Sequence, residues 1–153
     1  MTEKHRDLHV RLDRIFSEYA DVIWRLNDSR IMYPTTEEVI EINKRIHSLC
    51  GGQFGVREHN LLESAINAPK QKEVYTPGVR PEVLGYTIME RIIRNHPFID
   101  GNKRTGVVVL LDFCERNAVL LPKEWTHDWL VTEAELIGRG RAKLVSETDR
   151  EGR

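Results

Sequence analysis

The stretch that decides the fold is His96-Pro97-Phe98-Ile99-Asp100-Gly101-Asn102-Lys103-Arg104-Thr105. Pro97 disfavours helical geometry at the residue before it, so a helix that enters this stretch has to end near Asn95. The Gly-Asn pair predicts a turn, and the apolar residues that follow predict a second helix from about residue 103 to residue 116. The stretch therefore predicts two helices joined by a turn that concentrates polar residues.

The turn has the composition of a phosphate site. The beginning of a helix presents free backbone N–H groups and a partial positive charge. We expect Gly101 to let the backbone approach phosphates closely, Asn102 to donate side-chain and backbone N–H groups, and Lys103 and Arg104 to add full charges. The alternatives are an ordinary Asn-Gly turn and a solvated cationic helix face.

Two residues of the turn carry reactive groups. His96 is expected to act as a general base, because the ordinary pKa of histidine lets it be neutral and basic at cell pH. Asp100 is expected to hold Mg²⁺, which binds one or two carboxylates together with phosphate oxygens. The alternative for Asp100 is a helix cap, since aspartate is favoured at that position. These residue types together indicate a phosphate-transfer enzyme.

The remaining motif residues are expected to be structural. Pro97 stiffens the turn, Phe98 and Ile99 point inward with Phe98 in the core, and Thr105 bonds back to the turn.

Apolar residues recur at helical spacing along most of the chain, so the fold class is predicted to be all-α, a compact helical bundle. Helices are expected over residues 8–27, from the capping box of Thr35 and Glu38 to Gly51, from about 57 to 68, from Pro81, and from Pro122. Pro69 is expected to end the third helix. Between the third and fourth, a short β flap is predicted near residues 72–79.

Length and charge limit the function. With 153 residues the chain is expected to hold an N-terminal helical extension (1–35), a catalytic domain (36–138) and a charged tail (139–153). A formal net charge of −1 gives no support for nucleic-acid or membrane binding. Cys50 and Cys114 are expected to be buried free thiols, and together with the absence of a signal-peptide pattern they predict a cytoplasmic protein.

The stretch from His96 to Thr105 resembles the signature of the Fic/Doc superfamily, which is His-Pro-Phe-x-Asp/Glu-Gly-Asn-Gly-Arg in Fic enzymes. The death-on-curing (Doc) branch has Lys where Fic enzymes have the second Gly, and this chain has Lys103 there. Three further parts of the chain are similar to the family. They are the segment Gly55–Arg57, the segment Asn60–Ala65 with the later Pro69, and the pair Arg94-Asn95 directly before the motif. The resemblance covers residues of about 37–120.

The resemblance implies an α-helical fold and transfer from a nucleoside triphosphate (ATP), with Mg²⁺, to a hydroxyl of a target protein. The Doc branch implies a toxin kinase that transfers the γ-phosphate, has a translation elongation factor as target, and is inhibited by a separate antitoxin. The Fic branch implies nucleotidyl (AMP) transfer. Our hypothesis is that the Lys103 side chain fills the room that nucleotidyl transfer needs and so favours attack at the γ-phosphate.

The extended segment Val74-Tyr75-Thr76 is predicted to be the edge on which the target peptide docks beside His96. The alternative is an ordinary surface loop. No inhibitory Ser/Thr-x-x-x-Glu-Gly/Asn motif is recognised in the chain, so inhibition is expected to come from the separate antitoxin. Two other functions stay open at this point: a non-catalytic module that binds phosphate or nucleotide, and an enzyme acting on a small-molecule hydroxyl.

Overall fold

The structure is a computed structural model that describes residues 2–27 and 31–140. The chain forms two compact units, Met1–Ile31 and Met32–Arg153. The described residues form seven helices, which confirms the all-α prediction: α1 (Glu3–Glu18), α2 (Ala20–Asn27), α3 (Thr36–Cys50), α4 (His59–Tyr75), α5 (Pro81–Asn95), α6 (Asn102–Arg116) and α7 (His127–Gly138). The predicted domain boundaries at residues 35 and 138 stay predictions.

The first unit contains α1 and α2, where the sequence predicts one helix over residues 8–27. The structure interrupts it at Tyr19, which caps α1, and begins α1 earlier because the Thr2 side chain accepts from the His5 N–H. No residue of α1 is buried, and Phe16 is 55% exposed. The apolar spacing therefore predicted helix correctly, but it did not predict burial.

The core of the second unit lies around α5, which packs against both α4 and α6. Two glycines let α5 and α6 approach closely. A Cβ on Gly85 would lie 2.8 Å from Phe113 Cδ1, and a Cβ on Gly106 would lie 3.1 Å from the Met89 carbonyl oxygen. The largest buried side chains include Leu62, Leu84, Ile88, Met89, Ile92, Leu110 and Phe113. This close packing fixes the positions of the two helix ends that flank the turn.

Most predicted helix ends in the second unit are confirmed. The capping box of Thr35 and Glu38 begins α3, and Gly51 ends it with a positive φ of 77°. Pro81 is the first residue of α5, and Asn95 is its last.

The predicted end at Pro69 and the β flap are wrong. α4 continues through Pro69 to Tyr75, so Val74 and Tyr75 belong to its last turn and Thr76 caps it. Pro69 shares the buried face of α4 with Leu62, Ala65 and Ile66, and this burial offsets the one missing backbone hydrogen bond. Within residues 2–27 and 31–140, β structure is limited to an isolated bridge between Val56 and Phe98.

Two further predictions need correction. α7 begins at His127 rather than at Pro122, because the Thr126 side chain accepts from the Trp129 N–H, and Trp125 stacks on Trp129 at 4.7 Å. Cys114 is buried as predicted, but Cys50 is exposed because it lies at the very end of α3.

Most of the predicted tail, from residue 141 onward, lies outside the described residues. None of the helices in the described part of the chain has the length and hydropathy needed to cross a membrane.

Candidate active site

His96 lies just past the end of α5 in the left-handed region, with φ 51° and ψ 55°. A non-glycine residue pays roughly 1 kcal/mol or more for this conformation, and such strain is concentrated at functional sites. Arg57 stabilises it: Nε donates to the His96 carbonyl at 2.8 Å, and a terminal nitrogen donates to the Asn95 carbonyl at 2.9 Å. Arg57 therefore caps the helix and holds the backbone of His96.

The segment Gly55–Arg57 also holds the residues that follow His96. The backbone N–H of Arg57 donates to the Pro97 carbonyl at 2.7 Å, and the N–H of Ile99 donates to the Gly55 carbonyl at 2.9 Å. Phe98 is fully buried, which confirms its place in the core. Ile99 is 50% exposed, so its predicted inward orientation is wrong. It lies over Gly55 instead, where a Cβ would be 2.5 Å from Ile99 Cδ1.

Asn102 organises the inside of the turn. Its side chain is buried; Oδ1 accepts from the Phe98 N–H and Nδ2 donates to the Phe98 carbonyl, both at 3.0 Å. Nδ2 also lies 3.2 Å from His96 Nδ1. The side chain that we expected to donate to phosphates is therefore engaged within the turn, and only the backbone N–H of Asn102 remains for that purpose.

The same contact determines where the proton of the neutral His96 imidazole lies. Because both Phe98 backbone groups fix the orientation of the Asn102 amide, its N–H group faces His96 Nδ1. Nδ1 must then be the acceptor, and the ring proton of the neutral form lies on Nε2.

The first turn of α6 has the features of an anion site, and we use that name for it below. Gly101 is its N-cap, with φ 76°, and no side chain caps the helix. The first intrahelical bond is donated by the Thr105 N–H to the Gly101 carbonyl at 2.9 Å. Among the described residues, the N–H groups of Asn102, Lys103 and Arg104 have no hydrogen-bond partner. These groups and the helix dipole favour a bound phosphate.

Asp100 lies beside this site and suits Mg²⁺. Its Oδ1 accepts from the Gly101 N–H at 2.8 Å, whereas the N-cap position belongs to Gly101 itself. Its Oδ2 faces Gly52, where a Cβ would lie only 2.6 Å away, so the absence of a side chain keeps this oxygen accessible. No group of three or more His, Cys, Asp or Glu residues in the described chain is arranged for a metal. One carboxylate together with phosphate oxygens is a common way to bind Mg²⁺.

Comparison with known proteins agrees with this geometry. Residues 33–114, more than half of the chain, match the model of the Fic/DOC family. The chain belongs to the Fic/DOC family. Over 80 residues it is 32% identical to a protein named Toxin Doc from Mycolicibacterium smegmatis. The aligned stretch covers 51% of this chain and 61% of that protein, so the chain spans less than two thirds of its relative.

Within the Fic/DOC region, α3 supports the turn through two residues that the sequence analysis missed. Asn43 is completely buried, and its Nδ2 donates to the Asp100 carbonyl at 3.1 Å and to Thr105 Oγ1 at 2.9 Å. His47 places Nε2 3.2 Å from the Asp100 carbonyl and Nδ1 3.0 Å from the Gly51 carbonyl. The sequence signal that could have found Asn43 is its spacing, four residues after Val39 and three before Ile46, which places it on the apolar face of the helix. His47 follows Asn43 at i+4.

The two cations of the Fic/DOC motif differ in their surroundings. Lys103 Nζ forms an ion pair with Glu135 Oε2 of α7 at 3.0 Å. Arg104 is exposed on the first turn of α6. The Lys103 ammonium is therefore directed to α7, whereas the Arg104 guanidinium is exposed to solvent.

The predicted docking residues lie at the end of α4 rather than on a strand. Val74 is 73% exposed and Tyr75 is 84% exposed. An exposed helix end has no free strand edge, so it offers side chains rather than a pairing backbone to a partner.

Proposed function

We propose that this Fic/DOC protein is a Doc-like toxin kinase that transfers the γ-phosphate of ATP to a hydroxyl of a target protein. The observation that carries the proposal is the turn itself. It places a strained histidine, a carboxylate and an uncapped helix N-terminus within one short connection. The relative named Toxin Doc, and Lys103 at the position typical of the Doc branch, support the kinase over other activities.

The phosphates are proposed to lie against the first turn of α6. The N–H groups of residues 102–104 donate to their oxygens, and Arg104 grips two oxygens at once because its guanidinium is planar. Asp100 would hold Mg²⁺ through Oδ2 together with phosphate oxygens. A bound magnesium ion would neutralise part of the triphosphate charge. Such positioning and charge stabilisation account for most of the catalysis in phosphoryl transfer.

His96 is proposed to take the proton of the target hydroxyl. The hydroxyl oxygen forms a bond to the γ-phosphorus, the bond from that phosphorus to the β–γ bridging oxygen breaks, and ADP leaves. In the structure, Nδ1 accepts from Asn102 and Nε2 carries the proton. If Nδ1 is the base, the Asn102 contact must break; if Nε2 is the base, the ring proton must move to Nδ1 and the same contact is lost. Each turnover therefore requires His96 to leave its bond with Asn102.

The target is proposed to contact the exposed end of α4, formed by Val74, Tyr75 and Thr76, through side chains instead of strand pairing. A translation elongation factor is the proposed target, and a separate antitoxin is the proposed inhibitor.

The second candidate is AMP transfer, the reaction typical of the Fic branch. One observation favours it: Lys103 is paired with Glu135 of α7, so its side chain leaves the room over the turn that nucleotidyl transfer needs.

Label transfer from γ-labelled and, separately, α-labelled ATP into a purified elongation factor and a cell extract tests both candidates. The inactive variant is His96→Asn, because asparagine tolerates the left-handed region but is not a base. His127→Ala, an exposed residue at the beginning of α7, is the matched control.

A γ-label signal that His96→Asn loses and His127→Ala keeps supports the kinase. An α-label signal with the same pattern supports AMP transfer. Absence of both signals in the wild type overturns protein modification for these acceptors, and nucleotide binding in that case favours the non-catalytic module.

A further inference from the structure

The Lys103 side chain contacts α7. This helix lies outside the part of the chain that matches the family. Its ammonium pairs with Glu135, and its aliphatic chain lies over Gly138. Glu135 and Gly138 are three residues apart and so share one face of the helix. We call this pair of residues the α7 seat.

Lack of space, rather than backbone conformation, explains why residue 138 is a glycine. Its φ is not in the left-handed region that favours glycine. A Cβ added there would lie 2.8 Å from Lys103 Cε, closer than real contacts allow. Any other residue at this position would therefore displace the end of the Lys103 side chain.

The ion pair contributes little to folding stability, since both partners are about half exposed and water screens their attraction. Its position is more informative. Lys103 is the second residue of α6, and its backbone N–H is one of the groups of the anion site. A phosphate bound there lies within the length of one lysine side chain from the Lys103 Cα.

We propose that Glu135 and Gly138 are positioning residues for Lys103, holding its ammonium on α7 until a triphosphate draws it to the anion site. The inference rests on the proposed nucleotide-binding function. A triphosphate carries several negative charges and Glu135 carries one, so the ammonium exchanges partners when nucleotide binds. The α7 seat thereby weakens nucleotide affinity by the free energy needed to break the Lys103–Glu135 pair.

The test is calorimetric titration of the full chain with the magnesium complex of β,γ-imido-ATP, which is not hydrolysed at the γ-position. Glu135→Gln removes the charge and keeps the shape of the side chain. It is expected to lower the Kd about two- to fivefold, the factor that corresponds to the free energy of a surface ion pair. Gly138→Ala displaces the lysine sterically and is expected to act in the same direction. In a Lys103→Met background, neither substitution changes the Kd, because no ammonium is left to release.

Asp128→Asn is the matched control, since it removes one negative charge from an exposed position on the same helix. The inference is overturned if Glu135→Gln binds no more tightly than wild type or Asp128→Asn, or if its effect persists with Lys103→Met. Melting temperatures within the error of wild type show that the folds are intact. If the wild type itself binds no nucleotide, the proposed function fails as well; if it binds and the variants match it, only the α7 seat fails.

Discussion

The turn between α5 and α6 and the segment between α4 and α5 connect helices of the same core, yet they are held in opposite ways. In the turn, side chains of Arg57, Asn43 and Asn102 bond to four backbone carbonyls, those of Asn95, His96, Phe98 and Asp100. In the segment after α4, the bond from the Val79 N–H to the Thr76 carbonyl at 3.1 Å is local, and Tyr75 before it is 84% exposed.

The difference separates two tasks. Proton transfer and phosphate binding need groups placed within a fraction of an ångström, and polar side chains from distant elements supply that precision. A docking surface gains from exposed side chains that adapt to a partner. Substitutions in the turn should therefore affect catalysis strongly, whereas substitutions at the end of α4 should affect target recognition alone.

Asn102→Ala is expected to have the largest effect. It removes the contacts to both Phe98 backbone groups, which fix the geometry of the turn around His96, so stability should fall by about 1–3 kcal/mol and label transfer by about 100-fold or more. Chemical denaturation and initial transfer rates measure the two losses.

Tyr86→Phe is the control for Asn102→Ala. It leaves the buried Glu133 without the 2.5 Å hydrogen bond from the tyrosine hydroxyl, at a site away from the turn. Burial raises the pKa of Tyr86, so the hydroxyl stays a donor throughout the working pH range. Stability should again fall by about 1–3 kcal/mol, with kcat unchanged. Equal loss of activity in both variants would contradict the special role of the turn.

Arg57→Lys is expected to have the second-largest effect on label transfer. Lysine keeps the charge but cannot bond to the His96 and Asn95 carbonyls with a planar fork. His96 should then leave its strained conformation part of the time, and kcat should fall about tenfold with little change in nucleotide Kd. Arg91→Lys, at an exposed position on α5, is the comparison. A change in Kd without a change in kcat would place Arg57 in nucleotide binding instead.

Val74→Ser with Tyr75→Ser is expected to leave stability within about 0.5 kcal/mol of wild type, because both side chains are exposed. The KM for the protein target should rise severalfold while nucleotide affinity stays the same. Leu120→Ser, which is 92% exposed, is the matched apolar-to-polar control. Unchanged target kinetics in the double variant would remove the end of α4 from the docking surface.

Glu38→Gln is expected to have the smallest effect. The hydrogen bond from Arg116 lowers the pKa of Glu38, so the charged form is favoured in the folded state. The stabilisation that the charged Glu38 gives to the fold is present above the ordinary glutamate pKa, and it is lost as the pH falls through the lowered pKa. The variant should be less stable than wild type at pH 7 by under about 1 kcal/mol, since Glu38 is 43% exposed, and the difference should shrink as the pH falls through the lowered pKa. A difference that is constant from pH 7 to pH 3, in urea unfolding, would contradict this origin.

Features with local causes were predictable from the sequence. The capping box of Thr35 and Glu38, the end of α5 before Pro97 and the beginning of α6 after Gly101 all depend on residues within one turn of helix. The failure at Pro69 has the converse cause. A single proline argues locally for a helix end, but its burial among α4 side chains depends on helices distant in sequence.

The amino-acid sequence by itself determined the all-α class, most of the helix ends around the turn, the composition of the turn and the family, because these depend on neighbouring residues and their order. Only the tertiary structure decided how the turn's side chains are used. It engaged Asn102 with Phe98 and His96, brought Asn43 and Arg57 to the turn from other elements, and paired Lys103 with Glu135. Hydrogen bonds between residues far apart in sequence depend on how helices pack, and local residue patterns carry no record of that packing.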